Sequence, residues 1–442
     1  MKWILLPLFL ANLVFASENW PSFRGERAAG VAENVGIPEK FDGITGEGTL
    51  YKVRIPGLAH SSPIVWGDKL FLTTAVSQDE AASFKPGLYG SGEASADRTV
   101  QEWKILCLNK HTGKTLWEKV AAKGTPIDKR HVKSTYANST PCTNGEVVVA
   151  WFGSQGVFGY TVDGQFLWKV DLGRMDVGAY DFPSYEWGPA SSPILHDGKV
   201  VLQVDTQGED YLLSLDARTG KEAWRTKRDE LPSWGTPTIV EAAGRTEVVC
   251  NGSNFVAGYD FRTGKELWRM GTSSKITAPT PVHADGITIV SSGRAPESPV
   301  MGIRAGAKGN ITLGRGETSG GFVAWLHFKR GPYMPTPVIY QGIVHVLHNQ
   351  GIFAAYGLRT GQEHYIKRIP HDGSGFSASP VVADGKIYLP GEDGIVLEML
   401  AGKVFRHIRT HKIGEPLMAS PAISGKTLYL RGRDHLFAIG KE

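Results

Sequence analysis

Charge of one sign is in short supply in this chain. Forty-eight Lys and Arg face 44 Asp and Glu, a net charge of +4 over 442 residues. A dedicated nucleic-acid binder carries a concentrated basic excess, so no nucleic-acid partner is expected. Cysteine is scarcer still. Cys107, Cys142 and Cys250 form an odd, widely separated set, which indicates neither a disulfide framework nor a zinc site. They read as small buried apolar residues in strands, the alternative being one bridge and a leftover thiol. No apolar run long enough to span a bilayer occurs, and no 3.6-residue helical periodicity is seen. Gly-x-x-x-x-Gly-Lys-Ser/Thr and Gly-x-Ser-x-Gly are both missing, so neither a P-loop nor a nucleophile elbow is supported.

The one marked apolar run is at the start. Lys2 precedes Trp3 to Phe15, and Ala16 is a small residue at a cleavage position. Residues 1–16 therefore read as a secretory signal peptide. The run is too short to span a bilayer, and no cysteine follows it, so neither a membrane span nor a lipid anchor is expected. The mature chain, 17–442, is expected to be exported, to the periplasm or outside the cell.

What the chain has in excess is glycine, 54 residues, together with 12 Trp. Many turns and many large aromatics point to short strands with frequent reversals. The glycines are phased. Pro63, Pro141, Pro193, Pro237, Pro281, Pro337, Pro380 and Pro421 each follow a small polar residue or Ala and precede an apolar pair and a tight turn. Turns such as Asn144-Gly145, Asp197-Gly198 and Asp384-Gly385 favour the positive φ of two-residue hairpins. A second turn, as at Thr112-Gly113, Thr219-Gly220 and Thr360-Gly361, follows a third strand. An aromatic comes four residues after each such Gly: Trp117, Trp168, Trp224, Trp268 and Tyr365, with Trp325 in the same place in the fifth unit.

Four short strands per unit of about 43 residues, eight times over, are the mark of an all-β, eight-bladed β-propeller of four-stranded antiparallel blades. The aromatic series is expected to pack between blades, because one blade is too small to bury its own faces. The eighth unit stops before its fourth strand, while Leu50–Arg54 stands before the first unit as a strand without one. Its pairing into blade eight would close the ring and make residues 17–442 one domain.

With these units in hand, the chain resembles the pyrroloquinoline-quinone-like (PQQ-like) β-propeller repeat proteins. The carriers are the Thr-Gly-Lys/Gln-x-x-Trp closures, as in Asp216-Ala-Arg-Thr-Gly-Lys-Glu-Ala-Trp224. The Ser-Pro openings, as in Phe376-Ser-Ala-Ser-Pro380, and the mature start Asn19-Trp-Pro-Ser-Phe-Arg-Gly25 also match. The resemblance implies two branches: quinoprotein alcohol dehydrogenases, which hold the quinone and a calcium ion on the propeller axis, and non-catalytic propellers such as the outer-membrane barrel assembly lipoprotein. The dehydrogenases carry adjacent cysteines beside the cofactor, and this chain has no Cys-Cys pair. No Glu, Asn and Asp calcium set and no catalytic Asp can be matched to positions here.

The loops that enter each inner strand should ring one mouth of the channel. They carry His60, Tyr136, Asn138, Glu186, Trp187, Trp234, Tyr333, Phe376 and Met418. Such a set either stacks a planar ring or sugar, or grips a peptide, or else plugs the channel. His407 and His411 lie four apart but on an expected strand, and His345 and His348 point to opposite faces, so no metal site and no catalytic residue are assigned. Two insertions, between Thr74 and Trp103 and from Ser291 to Gly321, are candidate partner-docking loops. The expectation is an exported, monomeric, non-catalytic binding scaffold of the cell envelope, taking a protein or small ligand and no cofactor. The alternative is a PQQ-dependent, calcium-assisted oxidoreductase, with Trp187 or Trp234 stacking the quinone and Glu186 helping to hold the metal.

Overall fold

The computed structural model describes residues 18–441, apart from 88–93, 180–181, 183–184, 272, 372 and 374. The expected signal peptide, 1–16, lies outside them. The described residues form an all-β ring of eight antiparallel four-stranded blades. Blade one is made of Ile64–Trp66, Lys69–Ser77, Gln101–Asn109 and Thr115–Gly124, from the axis outward. The inner strands of the next seven are Cys142–Thr143, Ile194–His196, Thr238–Ala242, Val282–Ala284, Val338–Tyr340, Val381–Ala383 and Ala422–Ser424. Each begins directly after, or one residue after, one of the phased prolines. The first hairpin of blade three turns through Asp197 at φ 42° and Gly198 at φ 69°, the left-handed pair that such a turn requires.

The ring closes as the sequence predicts. Thr49–Arg54 pairs antiparallel with His435–Ile439 and supplies the outer strand of blade eight. A propeller closed by strands from both chain ends leaves no open sheet edge at its seam.

The aromatic series makes the joints between blades, with one rule. Trp117, Trp168, Trp224 and Trp325 each donate the indole N–H to a carbonyl at the second turn of the next blade: Val162, Ala217, Phe261 and Leu358. The ring then covers the turn glycine. At Gly164, where φ is 85°, a Cβ would sit 2.9 Å from the Trp117 ring, so only glycine fits. The residue paired with the aromatic in its own blade is small: Cys107 under Trp117, Gly159 under Trp168, Ser214 under Trp224 and Gly302 under Trp325. Cys107 is thereby explained as a packing residue. It, Cys142 and Cys250 are all free and buried. At the seam, Tyr51 plays the tryptophan's part, its hydroxyl donating to the Lys110 carbonyl beside Gly113.

Two joints depart from the rule. Trp268 instead donates to Glu247 of its own blade, because blade five lengthens its second turn. The segment Ser291–Gly321 is therefore not one insertion, as the sequence reading had it. It contains the third strand of blade five, Val300–Arg304, followed by a long turn whose Gly309–Asn310 pairs parallel with Trp268 and Arg269 and extends blade four. Between blades six and seven, Tyr365 packs edge-on to Phe405, and buried His345 bridges the blades. Its Nε2 accepts the Gly402 N–H at 3.2 Å and its Nδ1 faces the Tyr365 hydroxyl at 3.3 Å. His411 pairs with Glu398 and His407 with Thr410, so these two are likewise structural.

One end of the channel is sealed by the chain before blade one. Trp20 bridges Val65 of blade one. The Pro21 carbonyl accepts from Thr143 of blade two, and the Arg27 carbonyl from Thr238 of blade four. Arg24 donates to the carbonyls of Pro337 and Pro380 in blades six and seven. Val31–Ala32 then pairs with Val382 and Ala383. The channel is blind.

Candidate ligand site at the channel mouth

Every phased proline is preceded by a hydroxyl residue: Ser62, Thr140, Ser192, Thr236, Thr280, Thr336, Ser379 and Ser420. Their role is a girdle. The N–H of Ser62 donates to the Thr140 hydroxyl, that of Thr140 to Ser192, and that of Ser192 to Thr236. On the other side the same links run from Thr280 to Thr336, Ser379 and Ser420, each at 2.9–3.0 Å. Six of the eight junctions between inner ends are thus tied, and the hydroxyls surround the axis.

Above the girdle is a cavity of about 230 Å³. Its floor is Phe23 of the sealing segment. Seven of the girdle residues, Thr140 to Ser420, line its waist. One wall is aromatic and apolar: Trp187, Trp234, Tyr333, Ile276, Met334 and Met418. The Trp187 and Trp234 rings are 5.8 Å apart at 41°. Ile276, packed with Trp187, holds φ at 64°. A β-branched residue there is strained by about 1–3 kcal/mol. The Trp234 indole N–H is spent on the Gly188 carbonyl. That of Trp187 is buried with no partner among the described residues, a donor whose desolvation they do not offset.

The rest of the lining is polar, with His60, His131, Lys133, Asn138 and Ser377, His131 packing edge-on to Trp187. Lys133 and Glu392, from blades on either side of the mouth, form a buried ion pair at 2.7 Å. Ser377 and the Gly87 N–H also donate to that carboxylate. Burial lowers the Lys133 ammonium below its usual range, and Glu392 opposes that shift. His60 is pulled down to about 4, chiefly by burial. It is neutral at pH 7, and its Nε2 lies 2.7 Å from the Lys133 carbonyl, so that nitrogen carries the proton.

Of the nine residues expected at the mouth, six line the cavity: His60, Asn138, Trp187, Trp234, Tyr333 and Met418. Three do not. Tyr136 turns outward to the Asp97 carbonyl and packs on Trp103. Glu186 is buried away from the cavity, accepting from the Lys129 N–H and from Arg174. Phe376 is fully buried in the core between blades six and seven. Sequence reasoning missed Phe23, His131, Lys133, Ile276, Met334 and Ser377 in the lining, and Glu392 behind Lys133. Only the girdle had a signal, the hydroxyl before each proline. The blade-one insertion leans over the same mouth, with Lys85 bonded to Val132 and Ser95 to Arg130.

The family profile of outer membrane protein assembly factor BamB matches residues 208–442. The chain belongs to this family. A search of curated proteins returns no match. Among solved structures, BamB from Moraxella catarrhalis is similar at 14% identity and a TM-score of 0.51, covering 83% of this chain and 98% of its own. The quinohemoprotein alcohol dehydrogenase of Comamonas testosteroni is similar at 11% identity and a TM-score of 0.59, covering 96% and 81%. A computationally designed protein, Ika8, reaches 14% and 0.51, covering 80% and 99%. At these identities the likeness is one of fold.

The fold therefore raises a calcium-held quinone, and the side chains at the mouth do not fit one. Glu186, the expected metal ligand, faces Arg174 and not the cavity. Glu392, which borders it, is committed to Lys133. Among the described residues no three His, Cys, Asp or Glu side chains converge on a point, whereas calcium takes six to eight oxygens.

Proposed function

We propose that this member of the family is an exported, non-catalytic binding scaffold of the cell envelope, and that it grips its ligand in the blind mouth of the channel. The observation that carries this reading is the cavity itself. It is walled by Trp187, Trp234 and Tyr333, floored by Phe23 and girdled by hydroxyls. Apolar walls with a few placed polar groups are the usual build of a binding pocket. The charged groups that reach it, Lys133 and Glu392, neutralise each other, which suits holding a ligand better than moving a proton. The family match to an assembly factor supports a role in assembly at the envelope.

The test is capture from envelope extract by immobilised protein, wild type against a W187A/W234A double variant of unchanged circular dichroism. Loss of captured material with the variant supports the reading, and equal capture overturns it. Added pyrroloquinoline quinone and Ca²⁺ provide the counter-test. Dye-linked turnover of an alcohol or sugar would overturn the non-catalytic part.

A further inference from the structure

The charges around the cavity do not balance. Lys133 is cancelled by Glu392, but two guanidinium groups bordering the channel are not cancelled. Arg24 is fully buried, and its side chain donates only to the carbonyls of Ala28, Pro337 and Pro380. Pro337 and Pro380 directly follow Thr336 and Ser379 of the girdle, so this cation sits just beneath it. Arg431, also buried, donates to the carbonyls of Ser61 and Thr73 and to the Ser61 hydroxyl, beside Ser62 of the girdle. Among the described residues no carboxylate pairs with either. Burial pulls both down to about 9, which leaves them charged at neutral pH. Carbonyl dipoles offset part of the cost of burying a cation, and a counter-charge in the same low-dielectric space offsets much more.

The girdle adds donors of the same sign. Six girdle hydroxyls already accept a neighbouring blade's N–H, so what each has left to offer includes its own proton. The mouth thus offers donors and positive potential at its base, and flat apolar surface at its wall.

We propose that the cavity takes a monoanionic carboxylate attached to a one- or two-ring aromatic group. The carboxylate lies on the girdle above Arg24, and the ring lies against Trp187 and Trp234. This deepens the scaffold reading and rests on it. The size agrees: a cavity of about 150 Å³ holds benzene, and this one is about 230 Å³. Carboxylate is favoured over phosphate because both guanidiniums spend their N–H groups on carbonyls and oxygens of the ring. They act as charges at a distance, whereas phosphate recognition uses the bidentate fork. A free aromatic acid and the C-terminal residue of a peptide share this chemistry.

The test is titration calorimetry on the full mature chain, in the presence of a chelator so that no divalent cation bridges. Indole-3-acetate is compared with neutral, nearly isosteric indole-3-acetamide, and Gly-Gly-Trp with its C-terminal amide. The acid is expected to bind at least about tenfold tighter than its amide. Binding by the free tripeptide but not by indole-3-acetate assigns the anion to a chain end; the reverse assigns it to a small acid. Equal binding of acid and amide, or binding of neither, overturns the proposal. Hydrogen exchange at residues 185–188 and 333–334 in envelope extract separates this from the scaffold reading. Protection there without acid binding sinks only the anion, and no protection sinks both.

Discussion

The two ends of the channel are built from the same eight inner strands and treated in opposite ways. At the sealed end the chain before blade one is stitched across the ring. Thr143, Thr238 and the Asp384 carboxylate, which accepts from the Val35 and Gly36 N–H groups, all meet its backbone. Arg27 pairs with Glu241 and Arg24 reaches two blades. Trp20 leaves its indole N–H unpaired there, but inside packed core and not beside a cavity. At the open end the Trp187 ring and the strained Ile276 line the cavity, and the Trp187 indole N–H is buried without a partner among the described residues. Interactions at the floor are used up in closing the ring; those at the mouth are left partly unmet. Backbone strain is shared by both ends, since Arg24, Arg27 and Ala28 of the sealing segment hold φ at 60°, 50° and 56°; what separates them is the aromatic-walled cavity at the mouth.

Substitutions can break this contrast. The largest effect belongs to the wall common to both ends. W168A removes a buried ring, its bond to Ala217 and the cover over Gly220, and should cost about 3–5 kcal/mol in urea unfolding. At the floor, R24A strands three buried carbonyls and should cost about 3 kcal/mol, with the midpoint falling at unchanged slope. A loss below about 1 kcal/mol would mean that the floor braces nothing, and that the two ends differ only in shape.

Between blades six and seven, where Arg24 also reaches, the contrast can be probed with pH. Burial holds His345 down to about 3, from 6.5. Its Nε2 accepts the Gly402 N–H, which requires the unprotonated nitrogen. The unfolded chain therefore takes up a proton near 6.5 that the fold refuses until about 3. Stability conferred by the neutral ring is whole above 6.5 and is lost as pH falls, by about 1.4 kcal/mol per pH unit. H345Q, which keeps an acceptor and cannot titrate, should lessen that slope between pH 6 and 4. An unchanged slope would assign the acid loss to other groups.

The periodic part of this architecture was legible because each element repeats with its own turn chemistry. Phased prolines, Asp-Gly and Thr-Gly turns and spaced tryptophans gave eight blades, and the missing last strand pointed to Thr49–Arg54. The mouth was legible only as a neighbourhood. Trp187 and Glu186 are adjacent in sequence, yet one lines the cavity and the other is drawn away by Arg174 and the Lys129 N–H. In an irregular loop, side-chain direction is set by such distant partners and not by a period. The Lys133–Glu392 pair spans 259 residues, and no local pattern announces it. Likewise blade five hid its third strand, Val300–Arg304, inside a glycine-rich stretch whose turn was too long to match the repeat.

The smallest effect on stability is the sharpest test of the comparison. W187F keeps the ring against Trp234 and removes only an N–H that bonds to nothing among the described residues. Removing a donor from a satisfied bond typically costs about 1 kcal/mol, whereas removing an orphan relieves a desolvation penalty. The unfolding free energy should therefore stay within about 0.5 kcal/mol of wild type or rise slightly, offset by the smaller ring. W168F provides the paired control. It takes the same N–H from a tryptophan whose bond to Ala217 is 2.9 Å long, and should cost at least about 1 kcal/mol more than W187F. If the two losses are equal, the Trp187 N–H has a partner in solution and the mouth is as fully satisfied as the floor. If W187F is neutral and W168F is not, the Trp187 N–H makes no bond in the folded chain, and the mouth is less fully satisfied than the joints between blades.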